Sequence, residues 1–198
     1  MPADLKFNAP WVVWTSELSP FGLKVILLCR YYGLPFRVLP AQGTLAERIQ
    51  YSLRRELLTR GLLPLTWPRM TVEDEFPLVP FLFGPKGENL YDSTAIAAWF
   101  DQHTESSRKL LPDDALAHFV AALIDDYADE FGLYLVHHIR WKVSAHDNDA
   151  SARLAGEMGI PGVLKKPVMA RWQRRQTERL PYLFSVAPCV MTQRNLHS

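Results

Sequence analysis

Residues 11–40, "WVVWTSELSPFGLKVILLCRYYGLPFRVLP", decide how the chain begins to fold. "WVVWT" (Trp11–Thr15) is a short continuous apolar run, the pattern of a strand covered on both faces. Ser19 then suits the N-cap of a helix, and Pro20 its first position. Phe21, Val25, Leu28 and Tyr32 recur at helical spacing, and Gly33 followed by Pro35 stops the helix. "FRVLP" (Phe36–Pro40) is a second apolar strand. A strand, a helix and a strand in this order predict a βαβ unit with parallel strands.

Working outward, residues 43–60 read as a helix rich in Arg and Glu, followed by a loop with Pro64, Pro68 and Pro77. "LVPFLFG" (Leu78–Gly84) and "ENLYD" (Glu88–Asp92) predict two strands around the hairpin signal "GPKGE". Ser93 is expected to cap the next helix, with Ile96, Trp99 and Phe100 facing inward. After the polar hinge "TESSRKLLPDD" (Thr104–Asp114) the character changes. Residues 115–143 form one long helical pattern, Ser144–Lys165 is looser and holds "GIPGV", and residues 166–180 are helical again. The expected architecture is an α/β domain over residues 8–104, ordered βαβ-α-ββα, and an all-helical domain over residues 105–198.

Composition bounds the function classes. The chain has 198 residues, 48% of them hydrophobic and 22% charged, the balance of an ordinary globular protein. A formal net charge of +1 gives no case for nucleic acid or an anionic membrane as partner. Two cysteines, Cys29 and Cys189, stand far apart in no metal or redox spacing, which suits a reducing compartment. The opening "MPADLKFNAP" has no long apolar segment, so no signal peptide is expected. No stretch approaches the roughly 20 apolar residues of a membrane span. The expected location is cytoplasmic.

The order βαβ-α-ββα with a proline in its third strand resembles the thioredoxin-like fold, and two segments resemble glutathione transferases in particular. "SPFGLKV" (Ser19–Val25) is similar to the active-site turn of serine-type members, most closely the tau class. "LVPFLFGPKGENLYDSTAIAAWFD" (Leu78–Asp101) is similar to the family's strand–proline–strand, acidic-serine pair and helix. The resemblance covers residues 11–101 and is thinner beyond 115. There it rests on a helical second domain and "ERLPYLF" (Glu178–Phe184). After "PYLF" the family's final helices find no counterpart in "SVAPCVMTQRNLHS", so the helical domain reads as shortened. A truncated or frame-shifted reading frame and a divergent tail explain this equally.

The resemblance implies a site made of Ser19, Phe21, Val79, Pro80, Asp92 and Ser93. On residue type alone, a strand proline reads as a trans residue at an edge. The resemblance implies instead a cis Val79–Pro80 bond whose Val79 backbone faces glutathione. Asp92 and Ser93, between a strand and a helix, read as an N-cap; the resemblance adds that this helix start holds the γ-glutamyl carboxylate. Ser19 as a cap stabilises its helix by about 1 kcal/mol; as a catalytic residue it donates to the glutathione sulfur. Ser16 and Thr15 are competitors for that role. No residue matches the family's partner for the glycyl carboxylate, with Arg60 and Arg69 the candidates.

Other clusters are discounted. Asp126, Asp129, Glu130 and His137 lack the Glu-x-x-His pairs of a di-metal bundle and read as a polar stripe, so no metal is expected. Tyr127 and Tyr134 are weak candidates for contact with substrate. Cys29 reads as a buried core thiol, and the Arg-rich run Arg171–Arg179 as a solvated helix face. The expected function is conjugation of glutathione, as co-substrate, to small electrophiles in detoxification, by a homodimer. The alternative is a non-catalytic glutathione-binding or chaperone-like protein on the same fold.

Overall fold

The structure, a computed structural model, describes residues 10–68, 79–104 and 109–183, with side chains to residue 178. Arg69, Leu78, Cys189 and the tail "SVAPCVMTQRNLHS" lie outside the described residues. The first seven elements are β1 (Trp11–Trp14), α1 (Pro20–Tyr31), β2 (Phe36–Leu39), α2 (Leu45–Thr59), β3 (Phe81–Phe83), β4 (Asn89–Tyr91) and α3 (Ser93–Gln102). Their strands lie in the order β2-β1-β3-β4, with β2 parallel to β1 and β3 antiparallel to both of its neighbours. This is the thioredoxin-like arrangement.

The two-residue period of a strand splits the apolar side chains of β1. Trp11 and Val13 enter one core with Val25, Cys29 and Tyr32 of the α1 region and Ile96, Trp99 and Phe100 of α3. Val12 and Trp14 enter the opposite core with Phe81, Phe83 and Leu58 of α2. The sheet is therefore covered on both faces, which is why β1 is apolar throughout.

Local chemistry sets the helix ends. Ser19 Oγ accepts a hydrogen bond from Gly22 N (3.2 Å) and Pro20 follows it; Gly33, at φ +68°, terminates α1. Thr44 and Glu47 form a capping box at α2, and Glu47 also receives Arg37 Nη1 at 2.6 Å. At α3 the cap is Asp92, whose side chain accepts from Ala95 N at 2.9 Å. Ser93 is the first helical residue, which corrects its assignment as the cap.

Both sheet edges are closed by short segments. On the β2 side, Val38 N donates to Gln42 Oε1 (2.9 Å) and Val38 O accepts from Gln42 N (2.8 Å). On the β4 side, Thr66 N donates to Asn89 O (2.8 Å), Asn89 N to Thr66 Oγ1 (2.9 Å) and Tyr91 N to Trp67 O (3.0 Å). Arg54 of α2 reaches the same hairpin, donating to Asn89 Oδ1 and Gly87 O and lying over the Phe83 ring.

Past α3, buried Asp101 gathers the chain back. It accepts from Tyr32 Oη (2.5 Å), Leu110 N (2.8 Å) and Leu111 N (2.8 Å). α4 (Ala115–Tyr127) follows. The chain divides into two compact units, residues 1–125 and 126–198.

The described part of the second unit is all helical. A π-helical turn at Ala128–Gly132 leads into α5 (Leu133–His138), a second at Ile139–Val143 follows, and then come α6 (Ala150–Glu157) and α7 (Gly162–Leu183). The long helical pattern is thus interrupted twice. Carbonyl groups of the second π turn find side-chain donors: Asn148 Nδ2 to Arg140 O (2.7 Å) and Thr177 Oγ1 to Trp141 O (3.0 Å). α6 lies within the stretch expected to be loose. α7 begins at Gly162 rather than 166, so it takes Pro167 into its second turn, where the bond to the Val163 carbonyl is forfeited. Among the described residues, no helix is long and apolar enough to cross a membrane.

Candidate functional site

The strand register brings three loops to one end of the sheet. Trp14 of β1 pairs with Phe81 of β3, and Phe81 pairs with Tyr91 of β4. The turn after β1 (residues 15–19), the Val79–Pro80 step before β3 and the Asp92–Ser93 step after β4 therefore leave the sheet together. Strands spaced about 4.8 Å apart put the first and last of these turns about 10 Å apart, with Val79–Pro80 between them. Both α1 and α3 start there, and each presents the positive end of its helix dipole. Their N-terminal halves touch, since Lys24 Nζ lies 2.8 Å from Thr94 Oγ1.

The Val79–Pro80 bond is cis, and so are Leu39–Pro40 and Trp67–Pro68. Val79 stands before β3 and outside the paired registers. Asp92 has φ +68° and ψ 130°, a sparsely allowed conformation for a residue other than glycine. Such geometry costs on the order of 1–3 kcal/mol and is held by its surroundings. Pro80 and Ser93 (1% exposed) are nearly sealed, whereas Ser19, Phe21, Val79 and Asp92 are half-buried.

The three hydroxyls of the first turn differ. Thr15 is buried, donates to Ser16 O at 3.3 Å, and packs so closely on Gly22 that a Cβ there would overlap it. Its proton and its space are both taken, so Thr15 is a packing residue. Ser16 Oγ accepts from Leu18 N (3.1 Å) and Ser19 Oγ from Gly22 N (3.2 Å). Each uses its oxygen as an acceptor, which leaves the hydroxyl proton to donate elsewhere.

The cluster Lys24, Thr94 and Asp125 was not among the expected site residues. Lys24 Nζ meets Asp125 at 2.6 Å, and Thr94 Oγ1 donates to Asp125 Oδ2 at 2.9 Å. A cation beside the start of α3 opposes its dipole, and the Asp125 carboxylate compensates for it. Lys24 lies within the quoted "SPFGLKV", but Asp125 is 101 residues away and no local pattern links them.

Arg60, one candidate for the glycyl carboxylate, pairs with Glu56 at 2.8 Å on the exposed end of α2. Tyr127 is 62% exposed and stacks on Phe131, with ring centroids 5.2 Å apart. Tyr127 and Tyr134 both belong to the second unit. Burial pushes the Cys29 thiol up to about 12, which makes it a poor nucleophile. Among the described residues, no group of three or more His, Cys, Asp or Glu side chains could hold a metal ion.

Residues 18–103 match the family model described as "Glutathione S-transferase, N-terminal domain", less than half of the chain. No curated protein matches. Three solved glutathione S-transferases are similar. One from Methylobacterium radiotolerans, in complex with glutathione sulfonate, is 20% identical with a TM-score of 0.42, over 87% of this chain and 64% of that one. One from Methylobacillus flagellatus with glutathione bound is 19% identical with a TM-score of 0.44, over 86% and 66%. One from Ceriporiopsis subvermispora, in complex with glutathione, is 13% identical with a TM-score of 0.44, over 87% and 72%. The chain spans less than two thirds of the length of the first two. Over residues 18–103, then, the chain is similar to the N-terminal domain of glutathione S-transferases.

Proposed function

We propose that this protein is a serine-type glutathione transferase that activates the thiol of glutathione at Ser19 and delivers it to a small electrophile. The observation that carries this reading is the register Trp14–Phe81–Tyr91, with two helix starts at the same end of the sheet. The family match over residues 18–103 supports it.

In this reading Asp92, Ser93 and the start of α3 receive the γ-glutamyl end, and the Val79 backbone beside Pro80 pairs with the peptide. Phe21 flanks the sulfur. A thiol with an ordinary pKa near 8.5 needs a drop of about two units to ionise at neutral pH, about 2.7 kcal/mol. A hydrogen bond to a charged acceptor supplies about 1.5–3 kcal/mol and a helix N-terminus about 0.3–1. Together they suffice without a general base. Ser19 meets the first requirement because its cap bond uses only its oxygen. Tyr127 and Tyr134 contact the electrophile in this proposal. It also includes a glutathione-binding domain over residues 8–104, a helical domain over residues 105–198, a homodimer and a cytoplasmic role in detoxification.

The test is retention on immobilised glutathione, followed by conjugation to a chromogenic aryl halide. Retention with conjugation that falls in Ser19→Gly supports the reading. Retention without conjugation in the parent protein favours a non-catalytic binding protein. Loss of both removes the glutathione reading.

A further inference from the structure

The second unit carries a surface that the glutathione reading does not use. α6 and α7 meet at a corner where Met158 (53% exposed), Val163 (88%) and Leu164 (52%) project apolar side chains into water. Lys165 and Lys166 follow at once and are exposed. Farther along α7, Arg171 and Arg175 recur on the row of Leu164, and Arg174 on the row of Val163, at intervals of about two or three turns. All three arginines are exposed, and with Pro167, Ala170 and Glu178 they line a shallow concavity. The side of α7 turned away from this row, through Met169, Trp172, Gln173 and Gln176, is half-buried. Among the described residues, an ion pair answers the arginine face: Glu178 Oε1 lies 3.5 Å from Arg174 Nε. The overall charge of +1 conceals this asymmetry.

We infer that the α6–α7 corner docks on an anionic lipid surface, with Met158, Val163 and Leu164 entering the interface and the basic face of α7 resting on the headgroups. Charge complementarity selects an anionic partner, and the apolar tip selects a bilayer. A nucleic acid or an acidic peptide would use the arginines but leave the three exposed apolar side chains unexplained. Basic clusters on amphipathic helices bind acidic lipids through both contributions, and neither alone gives lasting attachment.

The test is flotation of the full-length protein with vesicles of phosphatidylcholine, alone or with roughly 30 mol% phosphatidylserine, at low and high salt. Binding is expected only with phosphatidylserine and should weaken as salt rises. Each basic residue at such a surface is worth about fivefold in partitioning, so Arg171→Gln/Arg174→Gln/Arg175→Gln together should lower binding about 100-fold. Leu164→Ser should lower it severalfold while leaving the salt dependence in place. Circular dichroism matching the parent's shows that the variants keep their helices. No preference for phosphatidylserine, or a triple variant that binds like the parent, overturns the inference. So does arginine-dependent binding of a short oligonucleotide without vesicle binding, which would assign the face to nucleic acid.

Discussion

Replacing Asp101 by alanine should be among the most damaging single changes in the first unit. Its carboxylate accepts from the Tyr32 hydroxyl and from the backbone N–H groups of Leu110 and Leu111. Leu110 is exposed, so its N–H and its neighbour's can turn to water once the carboxylate is gone. The Tyr32 hydroxyl cannot, because Tyr32 packs in the core against Phe100, with ring centroids 5.0 Å apart. A hydrogen bond to a charged group is worth about 1.5–3 kcal/mol, and a stranded buried donor costs about 1–3. Asp101→Ala is therefore expected to cost about 3–5 kcal/mol. Tyr32→Phe, which leaves the carboxylate its two N–H donors, should cost about 1–2. Urea unfolding followed by tryptophan fluorescence measures both, and the double variant gives their coupling. The same pair sets a pH dependence. Burial first, and then the Asp101 carboxylate, raise the Tyr32 phenol above its ordinary value of 10.0. The folded protein thus holds this proton to higher pH than the unfolded chain does. The stabilisation is complete below pH 10 and is lost above it, by about 1.4 kcal/mol per pH unit. Tyr32→Phe should remove that part of the alkaline slope. An Asp101→Ala protein within about 0.5 kcal/mol of the parent, or an unchanged slope in Tyr32→Phe, would refute the reasoning.

Three further outcomes are expected. Ser19→Ala should destabilise the protein by about 1 kcal/mol and Ser19→Gly by a few tenths. Both should slow conjugation roughly 10- to 150-fold at neutral pH, with steady-state kinetics and a thermal melt as the paired measurements; a fully active glycine variant would pass the role to Ser16. Asp92→Gly should be tolerated better than Asp92→Ala by about 1 kcal/mol or more in denaturant melts, because glycine accepts φ +68° and alanine keeps the strain while losing the cap. In a Cys189→Ser background, Cys29 should resist an aromatic disulfide reagent in the folded protein and react on unfolding, since burial has raised its thiol to about 12; fast reaction in the native state would contradict its place in the core.

The start of the fold was legible because its signals are local. Ser19, Pro20 and Gly33 mark the ends of α1 by their own backbone preferences, and the apolar run of β1 announces a strand covered on both sides. At α3 two good caps stand side by side, and the bond from Ala95 N to the Asp92 side chain decides between them. Thr44-x-x-Glu47 carries a capping-box signal that fixes the start of α2 at Leu45 rather than at residue 43. α6 hides because it is short and anchors itself through Ala150 and Ala155, small side chains that give little periodic contrast. For the proposed site, residue type alone gave two helix caps and an edge proline; it was the resemblance to glutathione transferases that singled out Ser19, Val79 and Asp92. The buried state of Ser93 and the tie from Lys24 to Asp125 depend on packing between distant segments, which no local window contains.

A sheet of four short strands with free edges would be open to lengthening by any extended chain that met it. Gln42 occupies both backbone groups of Val38 on one side, and Thr66 and Trp67 occupy Asn89 and Tyr91 on the other. The two plugs act as chain terminators. At those rungs a visiting strand finds its hydrogen-bonding positions filled, so runaway polymerisation through the sheet is blocked at both ends. At these positions an arriving partner meets side chains in place of free backbone groups, so shape and charge select it there, whereas backbone pairing would accept almost anything.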